Sequence, residues 1–206
     1  VADRLHGHAG PHPTERIRGA DWYGEDLTGR VFADTAFVDV DLSETSSTAG
    51  LSFVDCTFRQ VRFTVSSHTA ASFANCTFSD CRFFDTAFVE CKFLGARFDR
   101  CALERLTVRG GDWSYSGLAG ADLRTASFTD VRMREADLTG ARCEGATFAS
   151  VDLSGAMLAR ANLERCDLRG SNLTSIDPWA TSLSGAIIDP VQALTIATAL
   201  GLEIRD

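Results

Sequence analysis

No stretch of this chain approaches the roughly 18 consecutive apolar residues that a transmembrane helix requires, so no membrane association is expected. Val1 to Pro13 hold His6, His8 and His12 but lack the apolar core of a secretory signal, and are read as part of a mobile N-terminal tail, residues 1–16, of a cytoplasmic protein. A basic excess is missing too: 20 Lys and Arg stand against 28 Asp and Glu, a formal charge of -8. That balance argues against direct nucleic-acid binding, which needs a basic footprint. It suits a basic partner, or plain solubility. No nucleophile elbow, P-loop, dinucleotide fingerprint or HExxH string occurs. Neither an enzyme nor a bound cofactor or metal is therefore expected. Seven cysteines are present, none in C-x-x-C spacing.

What the chain has is a period of five. Stepping by five from Phe53 to Leu173 gives twenty-five positions, of which twenty-four are apolar; the exception is His68. Counting an earlier block in another phase, thirteen of the fourteen phenylalanines occupy centres and only Phe84 does not. Two residues before a centre the side chain is typically small, as in Ala121-Asp122-Leu123 and Ala161-Asn162-Leu163. Six cysteines (Cys56, Cys76, Cys81, Cys91, Cys101, Cys166) take this small position and Cys143 a centre, so they read as core filler. Cys56 with Cys76, and Cys81 with Cys101, are close enough in the repeat to bridge, which a reducing compartment disfavours. An earlier block, Ile17, Trp22, Leu27, Phe32, Phe37 and Leu42, runs in another phase, with one residue inserted between Thr45 and Gly50. His68 is read either as a satisfied core residue or as a switch or ligand.

A period of five is neither 3.6 nor 2, which rules out an amphipathic helix and a simple half-buried strand. The pattern resembles the pentapeptide-repeat family. The resemblance implies an all-β fold: a right-handed quadrilateral parallel β-helix over residues 17–188, four pentapeptides to a coil, with the centre and the residue two before it inward. About eight and a half coils at roughly 4.8 Å each give a rod roughly 40 Å long. Phe53, Phe73 and Phe93 then stack in one column, and Phe58, Phe78 and Phe98 in another.

After Pro178 at a centre and a return at Leu183 and Ile188, Asp189 and Pro190 announce a helix, N-cap and first helical residue, that Gly201 ends. Val191, Leu194, Ile196, Ala197, Leu200, Leu202 and Ile204 make residues 189–206 too apolar for water. The stretches Ile176-Asp177-Pro178-Trp179, Ser184 to Asp189 and Gln192 to Leu202, with the early Asp41-Leu42-Ser43-Glu44, resemble the gyrase-targeting MfpA- and Qnr-type quinolone-resistance members of the family. That resemblance implies a homodimer through the C-terminal helix, shaped and charged as a DNA mimic that binds DNA gyrase, on a subunit the sequence does not assign. It implies competition with DNA and modulation of quinolone or toxin action. A scaffold for another basic partner is the competing reading.

Charge is unevenly spread. Residues 21–55 hold eight acids and one Arg, whereas residues 56–188 hold fifteen of each sign. A strict twenty-residue coil puts nine acids and five bases of residues 53–188 on one half-perimeter. The expected partner-binding face comprises Asp34, Asp39, Asp41, Asp55, Glu90, Asp112, Asp130, Glu135, Asp137 and Asp152.

Overall fold

The computed structural model describes residues 12–205; His6 and His8 lie outside them. The described chain winds as a four-sided parallel β-solenoid closed by one helix. The first face carries strands Glu15–Arg18, Thr35–Val38, Thr57–Arg59, Thr77–Ser79 and Arg97–Asp99, each paired in parallel with the next. The second is held by isolated bridges such as Arg62 to Arg82. The third runs from Ser46–Ser47 through Ser67–Thr69, Ala87–Val89, Thr107–Arg109 and Ser127–Thr129 to Thr147–Ala149. The fourth carries Val31–Ala33, Ser52–Val54 and Ser72–Ala74, continued by bridges from Lys92 to Asn172.

Partners are twenty residues apart except where the inserted residue falls between them. Asp26 bridges Ser46, but Val31 pairs with Ser52 and Asp41 with Arg62, twenty-one apart. The extra residue is absorbed beside Gly29, whose N–H bonds the Ala49 carbonyl. Gly50, left-handed at φ 71°, packs over it, and a β-carbon there would stand 3.3 Å from the Gly29 Cα.

The phenylalanine columns form as the spacing predicts. Ring centroids are 5.1 Å apart for Phe53–Phe73, 4.6 Å for Phe73–Phe93 and 4.7 Å for both Phe58–Phe78 and Phe63–Phe83. These equal the rung spacing of hydrogen-bonded strands, so stacking and backbone pairing reinforce one another. Each ring is buried, a contribution of about 1.5–3 kcal/mol apiece. Phe84, off-centre, is exposed and lies under the Arg105 guanidinium at 5.8 Å. Of the three tryptophans, Trp22 stacks on Phe32 in the first coil, Trp113 is buried against Phe93 midway, and Trp179 is 80% exposed in the last.

The small inward position does more than fill space. Thr86 and Ser171 donate to the Phe63 and Phe148 carbonyls, twenty-three residues back. The thiols of Cys76, Cys81 and Cys91 donate to Phe53, Phe58 and His68 in the same way. All seven cysteines are free. Burial pushes the Cys91 thiol up to about 11.

The residue two past a centre turns most corners with a left-handed backbone, which Asp, Asn and Gly tolerate best. Asp34, Asp39, Asp55, Asp130 and Glu90 all sit there, with φ between 46° and 58°. The residue before a centre has another task. Asp41, Asp112, Asp137 and Asp152 each accept a hydrogen bond from the backbone N–H two residues on, which explains the Asp or Asn of the repeat.

Candidate interaction surface

Eight of the ten acids expected on one face do lie together, on the fourth face, on either of its corners or on the first face. Asp34, Asp55 and Glu135 follow the corner between those faces, and Glu90 and Asp130 the fourth face's other corner. Asp112 and Asp152 lie on the fourth face and Asp137 on the first. Asp39 and Asp41 do not join them: Asp39 turns the corner between first and second faces, and Asp41 is on the second.

Three of the ten are neutralised. Asp41 is bound by Arg62 at 2.9 Å, Asp112 by Arg132 at 3.5 Å, and Asp152 by Arg134. Desolvation pushes the Asp41 carboxyl up, but hydrogen bonds from Ser43 and the Arg62 guanidinium outweigh it and hold the group below the usual carboxylate range. Asp152 is held down likewise, against its own desolvation, by Ser154 and Arg134. Asp34, Asp39, Asp55, Glu90, Asp130 and Asp137 make no ion pair among the described residues. Several arginines of the opposite half are themselves paired: Arg100 with Asp80, Arg105 with Asp85, Arg169 with Asp167.

The C-terminal end is the second candidate surface. The helix α1 spans Pro190–Ala199 with Asp189 as N-cap, closed by a capping box in which Asp189 and Gln192 exchange hydrogen bonds of 2.8 and 2.9 Å. Val191, Leu194, Leu200, Leu202 and Ile204 are exposed, 73% in the case of Val191. Ile196 instead packs on the core of its own rod, and Ala197 is half-buried. Two contributors escaped the sequence reading. Trp179 and Ile187 add exposed apolar surface in the last coil. Gln192 is buried, and its amide donates to the Leu168 and Ser171 carbonyls at 2.6 and 2.8 Å, supplying partners that a further coil would otherwise give.

Among the described residues no His, Cys, Asp and Glu cluster could hold a metal ion, and His12 is exposed. No described helix is long and apolar enough to cross a membrane.

Residues 81–158 match the family model for a pentapeptide repeat region. No curated protein matches the chain. Among solved structures, a trypsin-treated variant of QnrB1, a plasmid-mediated fluoroquinolone resistance protein, aligns with a TM-score of 0.56 at 22% identity, covering 95% of this chain and 100% of its own. HetL, a pentapeptide repeat protein of the cyanobacterium Nostoc involved in heterocyst differentiation regulation, aligns at 21% identity and TM-score 0.38 over 91% of this chain and 92% of its own. At 22% identity the likeness to QnrB1 is one of fold alone.

Proposed function

We propose that this chain, a pentapeptide-repeat protein by its coils and its matched region, binds DNA gyrase as a partial DNA mimic and competes with DNA for the enzyme. The observation that carries the reading is the placement of Asp34, Asp55, Glu90, Asp130 and Asp137, without ion pairs among the described residues, along two adjoining faces of the stacked coils. A rod fixes the spacing of its charges as a duplex does. Pairing of two rods through the exposed apolar end would lengthen the array to about 80 Å and its formal charge to -16, twice the -8 of one chain. Duplex DNA carries one charge per about 1.7 Å, so the mimicry is of line and sign rather than density. Fluoroquinolone resistance, the role of QnrB1, would follow as a consequence of displacing DNA.

The test is a supercoiling assay with purified gyrase over a salt series. Inhibition should fade as salt rises, since exposed charges are screened beyond about 8–10 Å near physiological ionic strength. Replacing Asp34, Asp55 and Asp130 with Asn, which keeps the left-handed corner, should weaken inhibition without lowering the melting temperature. Absence of inhibition by the unaltered protein would favour a scaffold for a different basic partner.

A further inference from the structure

The rod narrows at one level. Where the coil below carries Arg97, Asp99 and Arg100 on its outer side, the coil at this waist carries Gly117, Ala119 and Gly120. The missing side chains leave a notch of about 400 Å³ in the first face. Its apolar lining comes from Phe98, Gly117, Ala119 and Met157. Ser116, also in the lining, is buried, and its hydroxyl has no hydrogen-bond partner among the described residues.

The rim is of opposite character. Asp99, Glu135 and Asp137 line it together with Arg97; Asp99 is held by Arg100 at 2.6 Å, whereas Asp137 makes no ion pair among the described residues. Tyr115 stands at the corner, 50% exposed, on a left-handed backbone of φ 60°. An aromatic residue is uncommon in that conformation, and core packing does not account for one so exposed.

We propose that this notch receives an arginine side chain from a protein partner. An arginine stem lies on apolar surface while its charged head stays with carboxylates, which is how apolar lining and rim are divided. The planar guanidinium can also stack on the Tyr115 ring and fork onto a carboxylate, as a compact ammonium cannot. An anionic ligand would meet the Asp137 carboxylate at the rim. The inference rests on the rod meeting a basic protein, but not on gyrase being that protein.

The test is an NMR titration of the full chain with a capped Gly-Arg-Gly peptide, and with its citrulline counterpart, which keeps the stem and loses the charge. Two variants are added. Gly117→Leu fills the notch at a position outside the left-handed region, where a β-carbon meets only ordinary contacts, 3.5 Å to the Arg97 Cγ. Asp137→Asn removes a rim charge while its side-chain oxygen can still accept from the Thr139 N–H. Saturable shifts should centre on Gly117, Ala119 and Met157, weaken about tenfold with citrulline or Asp137→Asn, and vanish in Gly117→Leu. Equal binding of the two peptides overturns the proposal. So do arginine shifts centred elsewhere, unchanged binding by a folded Gly117→Leu protein, or tighter binding of a free linear polyamine, which would make the notch a small-cation site. Because no gyrase is present, these outcomes are independent of the supercoiling assay.

Discussion

The Nδ1 of His68 lies 3.0 Å from the Oγ of Ser47, one polar centre resting on another inside a column that continues as Phe88. The pair is buried, and Nε2 has no partner among the described residues. Burial lowers the His68 pKa to about 4. An unfolded chain would protonate near 6.5. The folded state therefore binds fewer protons between these values, and stability should be full above about pH 6.5 and fall by about 3 kcal/mol as the pH drops to about 4. Urea melts across that range check the slope. The double variant Ser47→Ala, His68→Phe should flatten it.

Gly111 occupies an inward position where other repeats place alanine or cysteine, two residues before Trp113, the largest centre. A β-carbon there would sit 2.1 Å from the Cys91 carbonyl oxygen, on a backbone at φ 86°. Gly111→Ala should cost about 3 kcal/mol or more. Gly140→Ala, also left-handed at φ 65° but with open space around it, should cost about 1 kcal/mol. Denaturant melts of the two variants separate clash from conformational strain.

Removing Gln192 strips the Leu168 and Ser171 carbonyls of their partner and opens the capping box. Gln192→Ala should destabilise the chain by about 2 kcal/mol. Amide exchange should quicken in the last coils before it does near Phe78, because each coil is supported chiefly by its neighbours.

The end-to-end pairing proposed above predicts that Leu194→Glu with Leu202→Glu yields monomers in analytical ultracentrifugation with little change in melting temperature. Both side chains are more than half exposed, so their loss leaves the rod's own core untouched. An unaltered dimer would move the interface elsewhere.

The core was legible because one rule, five residues, recurs until chance is no explanation. Even the eleven-residue step from Leu42 to Phe53 marked where register would change. Ser47 was hidden by that same step: it is the next centre after Leu42, but lies inside the slip. The ion pairs were hidden for a different reason. Arg62 meets Asp41 across twenty-one residues and Arg134 meets Asp152 across eighteen, choices among side-chain neighbours that a strict coil does not make. Gln192 was passed over because a polar residue in an apolar helix looks solvated. Only the three-dimensional end of the coil puts bare carbonyls beneath it.

The tryptophans are spread along the axis as built-in optical gauges: Trp22 in the opening coil, Trp113 at the seam between the phenylalanine-rich and leucine-rich halves, Trp179 in the last. Each occupies a different environment, partly covered, fully enclosed and open to water respectively. Single-tryptophan versions would therefore report melting at the bottom, middle and top separately. In a quasi-linear stack whose coils depend on their neighbours, the order of those three signals tells from which end the rod unzips.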